Sequence, residues 1–170
     1  MNIKHWKNTF MLPDIVENLK KVNDNIKLLI ISHLGEIIKL KEIVKERNLN
    51  KNIVFVNYVN EEEKREYYAK SKIMVFPTKY EGIGMVIIEA LAASLPIVLF
   101  DVPTLKIFSS GILKAKPFDI EEYTNNIKFL LENENERERL GKEGREDALK
   151  RLDYKNVAEI ENDAIKKVIC

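Results

Sequence analysis

The sequence is poor in the residues that form covalent or metal cross-links. Its single cysteine, Cys170, is the last residue, so no disulfide can form within the chain, and a reducing compartment is expected. The two histidines, His5 and His33, do not make a metal site with one distant cysteine. We therefore predict no bound metal or cofactor. His33 follows a predicted strand and is interpreted as a polar loop residue, with contact to a ligand as the alternative.

Long apolar runs and an excess of charge of one sign are also missing. No stretch of about 18 apolar residues is present, and the amino terminus has no signal-peptide core. The net charge is +1, so no overall field favours nucleic acid. We expect a cytoplasmic protein without a nucleic-acid partner, and we leave peripheral membrane contact open.

Apolar runs alternate with helical patterns along the 170 residues. Predicted strands cover Ile26–Ile31, Asn52–Asn57, Ile73–Pro77, Pro96–Phe100 and Ile112–Ala115. Predicted helices cover Pro13–Val22, Glu36–Arg47, Glu61–Lys70, Met85–Ser94, Thr104–Ser109, Ile120–Glu132, Glu136–Leu149 and Tyr154–Val168. Such alternation is typical of an α/β fold with a doubly wound, Rossmann-like parallel sheet.

We predict one domain over residues 1–170. Residues 1–25 form an incomplete first βα unit, because no strand precedes the helix at Pro13. Residues 119–170 are mainly helical and are expected to cover one side of the sheet. The chain is therefore interpreted as a fragment of a longer architecture.

The most informative segment runs from the strand ending at Pro77, through a loop with two glycines, into an alanine-rich helix. Gly82 and Gly84 permit backbone conformations and close ligand approach that a side chain would block. The helix is expected to begin near Gly84. Its first-turn N–H groups, from Ile83 to Val86, then form a cradle for an anion at the carboxyl edge of the sheet.

Two glutamates bracket this cradle. Glu89 lies one turn beyond Met85 on the same helix face, where its carboxylate can accept both hydroxyls of a ribose. Glu81 precedes the helix, on the side where a sugar joined to a diphosphate would lie. The other interpretation is a solvated loop residue and an ordinary helix glutamate, while Tyr67 and Tyr68 are interpreted as packing residues.

The segment from Tyr80 to Val98 (Tyr-Glu-Gly-Ile-Gly-Met-Val-Ile-Ile-Glu-Ala-Leu-Ala-Ala-Ser-Leu-Pro-Ile-Val) resembles the E-x7-E signature of group-1 (GT4-like) retaining GT-B glycosyltransferases. The resemblance is to their C-terminal, donor-binding domain, and it extends from about Ile26 to Leu149. It implies a hexosyltransferase that moves a sugar from a nucleoside diphosphate sugar to an acceptor hydroxyl, with retention and without metal.

The resemblance also implies roles for single residues. Glu81 would be catalytic, contacting the transferred sugar or the positive charge at its anomeric carbon, and Glu89 would hold the donor ribose. Lys7 would neutralise the diphosphate, although a solvated lysine in a frayed terminus explains it equally well. The remaining donor-binding positions are Gly82, Ile83, Gly84, Met85, Val86 and, next to the base, Val59.

Several positions depart from the family pattern. No arginine stands beside Lys7, Ser32-His-Leu34 and Asp101-Val-Pro-Thr104 replace expected glycines, and Ser94 replaces another. These departures favour an alternative, a non-catalytic sugar-nucleotide-binding module. A second alternative is a structural partner that uses its sheet edge as an interface. The acceptor site would come from an N-terminal domain or a partner chain, so the chain alone is expected to be inactive. Base, sugar, acceptor and linkage are not evident from the sequence.

Overall fold

The computed structural model describes residues 7–32 and 37–169. Its five strands are β1 Leu28–Ile31, β2 Ile53–Val56, β3 Met74–Phe76, β4 Ile97–Phe100 and β5 Ile112–Ala115. Its α-helices are α1 Leu12–Lys20, α2 Ile38–Glu46, α3 Glu61–Lys70, α4 Met85–Ala92, α5 Ile120–Glu132, α6 Glu134–Leu152 and α7 Tyr154–Ile169. Two short 3-10 turns lie at Thr9–Met11 and Pro103–Leu105.

All the strand pairs are parallel, which confirms the predicted α/β class. β1 pairs with β2, with Leu28 opposite Ile53. β4 lies between β3 and β5, with Ile97 opposite both Met74 and Ile112. Within the described ranges, the strands therefore form a two-stranded and a three-stranded sheet.

β4 is the centre of the larger sheet because its sequence is apolar on both faces. The strand Ile97-Val-Leu-Phe100 is fully buried, as expected for a parallel strand covered by helices on both sides. The ring centroid of Phe100 lies 4.8 Å from that of Tyr123 in α5. The Tyr123 hydroxyl donates a hydrogen bond of 2.6 Å to the Val98 carbonyl, so its only polar group is satisfied.

Helix α1 packs against both sheets. Ile15 belongs to the main apolar core together with Phe76 of β3. The adjacent Val16 belongs to a smaller core with Ile53 of β2. The amphipathic pattern of α1, which begins with Pro13 in its first turn, thus joins the two parts of the fold.

Helix α6 packs closely on the end of α4 because glycines face the contact. A Cβ atom added at Gly141 would lie 2.2 Å from the carbonyl oxygen of Ser94. A Cβ atom at Gly111 would lie 2.6 Å from the Cα atom of Gly144. The backbone of α6 therefore contacts the backbone of the residues after α4 directly, which restricts the position of the carboxyl end of α4.

One predicted helix is not an α-helix in the structure. The helix expected over Thr104–Ser109 is a single 3-10 turn, Pro103–Leu105. Phe108 is buried and the chain enters β5 at Ile112, so the connection has room for one turn only. The predicted bounds of α3, α5 and β5 agree with the structure.

Candidate functional site

The predicted cradle lies at the start of α4, at the carboxyl end of β3. Gly84 immediately precedes the helix with a φ of +75°, in the left-handed region that glycine occupies without strain. A Cβ atom there would lie 3.1 Å from the Phe108 ring and 3.2 Å from Ile87. Both the backbone and the packing therefore call for glycine, and the predicted helix start is confirmed at Met85.

The start of α4 is open to solvent. The side chains of Ile83, Met85 and Val86 are exposed, although all three are apolar. Ile87 donates its N–H to the Gly84 carbonyl at 2.8 Å, so the helix ladder begins there. The N–H groups of Met85 and Val86 precede that ladder, and Gly84 has no side chain to cap them. The geometry suits an anion.

Glu81 and Lys7, predicted separately, are brought together. The ammonium Nζ of Lys7 lies 2.5 Å from Oε2 of Glu81, whose side chain is only 18% exposed. Oε1 of Glu81 accepts the Gly82 N–H at 3.2 Å. Lys7 also lies over the Phe76 ring, 5.1 Å from its centroid. The predicted catalytic carboxylate therefore has a fixed cation beside it, at the end of β3.

Glu89 is held from a different element, helix α3. Lys64 Nζ donates to its Oε1 at 3.2 Å, and the Tyr68 hydroxyl donates to its Oε2 at 3.0 Å. The Glu89 side chain is 31% exposed and that of Lys64 24%, so the cluster lies at the surface but is not fully solvated. The Glu89 carboxylate is thus hydrogen-bonded within the protein, unlike a fully solvated helix glutamate.

These contacts act on the two donors. Partial burial, followed by the hydrogen bond to Glu89, raises the pKa of Tyr68 well above its ordinary value. The pKa of Lys64 is also raised, first by its hydrogen bond to Glu61 and then by Glu89. Tyr68 is therefore neutral and Lys64 charged at neutral pH, and both donate to the Glu89 carboxylate.

Lys64 and Tyr68 were not singled out as site residues by the sequence. Tyr68 does pack against the main core, as predicted, but its hydroxyl has a second role at Glu89. No spacing within the sequence indicates this contact, because it depends on how α3 and α4 lie against each other. The i,i+4 spacing of Lys64 and Tyr68, about one turn, shows only that they share a helix face.

The other predicted positions are placed as follows. Gly82 is exposed in the loop before α4. Val59 is half-buried, after β2 and directly before Asn60, which caps α3. His5 and His33 lie outside the described residues. Among the side chains that the structure describes, no three potential metal ligands cluster, and no described helix combines the length and apolarity needed to cross a bilayer.

The chain is similar to known proteins in both sequence and fold. The sequence model of the family "Glycosyl transferases group 1" matches residues 1–147. The O-antigen chain mannosyltransferase RfbU of Salmonella typhimurium is 26% identical over 117 residues, which are 68% of this chain and 33% of RfbU. The chain thus spans about a third of that curated relative.

Solved structures show the same fold. A variant of TarM from S. aureus, solved with UDP among its ligands, superposes with a TM-score of 0.83 at 21% identity, covering 90% of this chain and 31% of TarM. HepE of Anabaena, in complex with UDP, gives 0.83 at 16% identity, covering 95% of this chain and 46% of HepE. The match to the family model spans most of the chain, and the chain belongs to the glycosyl transferases group 1 family.

Proposed function

We propose that the chain is the donor-binding domain of a glycosyltransferase that transfers a hexose from a nucleoside diphosphate sugar to an acceptor hydroxyl, with retention of configuration. One observation carries the proposal. Two carboxylates, Glu81 and Glu89, flank an open helix start, and each is held by a lysine from another part of the chain. Side chains that serve packing alone do not need this arrangement at a sheet edge.

Each part of the donor has a chemical counterpart in the proposal. The diphosphate lies against the first turn of α4, where N–H groups and the helix dipole favour negative charge. Glu89 accepts the ribose hydroxyls. The backbone at Val59, after β2, contacts the base.

At the other end, Glu81 faces the transferred sugar. It accepts hydroxyl hydrogens or stabilises the positive charge that develops at the anomeric carbon. Lys7 can serve both Glu81 and a phosphate oxygen, because an ammonium carries three N–H donors. No metal or cofactor is part of the proposal, since lysine and helix N–H groups supply the positive charge.

Solved structures of the same fold support a nucleoside diphosphate as ligand. HepE of Anabaena was solved with UDP, with UDP and glucose, and with UDP-glucose. The chain spans about a third of RfbU, so we propose that an N-terminal acceptor-binding domain or a partner chain completes the enzyme. Transfer would take place in the cytoplasm, with peripheral membrane contact where the acceptor is lipid-linked.

Titration with UDP- and GDP-sugars tests the donor site directly. We expect saturable binding by calorimetry, and about 10- to 100-fold weaker binding by Glu89→Ala, because a carboxylate that hydrogen-bonds two hydroxyls is lost. Glu62→Ala, an exposed glutamate on α3, is the matched control and should bind like wild type. Absence of binding by wild type to either class of sugar contradicts the proposal.

A second candidate is a non-catalytic module, favoured by Ser94 and the other positions where family glycines are replaced. Glu81→Gln separates the two when the chain is joined to an acceptor-binding domain. A catalytic Glu81 predicts that kcat falls by about 100-fold or more while donor affinity changes little, because the charge acts mainly in the transition state. Equal, low turnover in wild type and variant, with binding intact, favours the module.

A further inference from the structure

The contacts of Glu89 reach beyond the helix that carries it. Glu89 lies on α4, and both of its partners lie on α3, 25 and 21 residues earlier in the chain. One donor, Lys64, is charged, and the other, Tyr68, is neutral. Each contacts a different oxygen of the carboxylate, so together they oppose rotation about the last side-chain bond.

This arrangement leaves acceptor capacity on both oxygens. A carboxylate offers about four lone-pair sites, and Lys64 and Tyr68 use one site on each oxygen. One site per oxygen is left, which suits the two hydroxyls of a vicinal diol. A carboxylate already fixed in one orientation does not lose its rotational freedom again when the diol binds.

Lys64 is itself fixed. Its ammonium donates to Oε1 of Glu61, one turn earlier on α3, at 2.9 Å. The first turn of α3 is closed by a reciprocal pair: Asn60 accepts the Glu63 N–H, and the Glu63 carboxylate accepts the Asn60 N–H. Hydrogen bonds therefore link Glu61, Lys64 and Glu89, beside the capped first turn of α3.

We propose that Lys64 and Tyr68 are positioning residues that hold the Glu89 carboxylate in the orientation that accepts both ribose hydroxyls of the donor. The inference rests on the proposed function, in which Glu89 binds ribose. It assigns a binding role to α3, a helix outside the glycosyltransferase signature. Neither residue needs to touch the donor for this role.

Single substitutions test the inference by calorimetry with UDP and GDP. Tyr68→Phe and Lys64→Met should each weaken binding about 5- to 20-fold, since each removes one hydrogen bond to a charged group. Lys64→Arg keeps the charge and should restore most of the affinity. Tyr67→Phe and Lys70→Met, on the same helix, are matched controls and should bind like wild type.

The ribose supplies a readout that a general loss of structure would not move. With the 2′,3′-dideoxy forms of the same nucleotides, Glu89 has no diol to accept. Wild type, Tyr68→Phe and Lys64→Met should then bind within about 2-fold of one another, because the hydrogen bonds at issue are absent from all three complexes. An equal loss with both ribose and dideoxyribose ligands overturns the inference.

The outcomes separate the inference from the proposed function. If wild type binds and Glu89→Ala does not, but both α3 variants bind like wild type, the donor site stands and the positioning role is wrong. If wild type binds neither UDP nor GDP, the proposed function fails and the positioning role fails with it. A ribose-dependent loss in the α3 variants, absent from both controls, supports both.

Discussion

Each candidate carboxylate of the site is half of an ion pair that is neither fully buried nor fully solvated. Ion pairs at the surface contribute little to the free energy of unfolding, about 0–1 kcal/mol. Their value is geometric: Lys7 places Glu81 at the end of β3, and Lys64 places Glu89 on α4. Each carboxylate thus has a charged partner that limits its rotation.

Ser94 shows a residue-scale departure whose physical cost can be measured. The sequence has serine where the family pattern has glycine, and its φ is +58°, in the left-handed region. A side chain in that region costs about 1–2 kcal/mol relative to an unstrained backbone. The turn keeps this conformation because the flanking residues, Leu91 to Ile97, are tied into α4 and β4.

Ser94→Gly should therefore stabilise the chain. We expect the free energy of unfolding in urea to rise by about 1 kcal/mol, because glycine adopts a positive φ without strain. Ser94→Ala is the control, and it should bring no such gain because it retains a Cβ atom. A variant with glycine that is no more stable than wild type would show that the turn is not strained.

The residue identities of the site could be predicted only in part. Glu81, Glu89 and Gly84 follow one another within a single strand–loop–helix segment, so local spacing places them. The Lys7–Glu81 pair joins residues 74 positions apart. Tyr68 and Lys64 reach Glu89 through the packing of two helices. Contacts of this kind depend on tertiary structure, which local pattern does not encode.

At the scale of elements, the start of α4 depends on one of the two signature glycines more than on the other. A Cβ atom at Gly84 meets the Phe108 ring and Ile87 at 3.1–3.2 Å, whereas a Cβ atom at Gly82 has no neighbour within 4 Å. Only Gly84 has a positive φ of the two. The loop therefore has one structural and one exposed glycine.

Alanine substitutions should separate these two positions. Gly84→Ala is expected to cost about 1–3 kcal/mol in urea unfolding and to weaken nucleotide-sugar binding, because strain at the helix start displaces the first-turn N–H groups. Gly82→Ala should change the stability by less than about 0.5 kcal/mol. Equal effects of both substitutions on stability and binding would contradict this account.

The elements themselves follow from sequence pattern where capping residues or apolar runs mark their bounds. Helix α5 and strand β5 have the predicted bounds because Asp119 caps the helix and three of the four strand residues are apolar. The Pro103 turn was predicted as a longer helix because its few apolar residues suit either form. The pairing of strands into a two-stranded and a three-stranded sheet is a long-range property that the sequence pattern does not specify.

At the scale of the whole molecule, one buried and one partly buried tyrosine make the free energy of unfolding depend on pH in the alkaline range. Burial raises the pKa of Tyr123 well above 10.0, and burial with the bond to Glu89 raises that of Tyr68. A pKa that is raised on folding contributes stability that is fully present below the unfolded value. That stability is lost as the pH rises through the folded value.

We therefore expect the free energy of unfolding to fall above about pH 10, with a slope of about 1.4 kcal/mol per pH unit for each such tyrosine. Urea titrations between about pH 8 and 11 measure it. Tyr68→Phe and Tyr123→Phe should each flatten the decline, whereas Tyr154→Phe, whose side chain is 74% exposed, should not. An unchanged slope in all three variants would show that these phenols do not control it.

The contact between Gly141 and Ser94 lets helix α6 limit the position of the carboxyl end of α4. Helix α4 has only eight residues, so a displacement of its carboxyl end is expected to change the position of its amino end as well. Helix α6 packs at the carboxyl end of α4, and the proposed phosphate cradle lies at the amino end of α4. We therefore expect a single methyl group placed at residue 141 to shift the start of α4, more than fifty positions earlier in the chain, without contacting it.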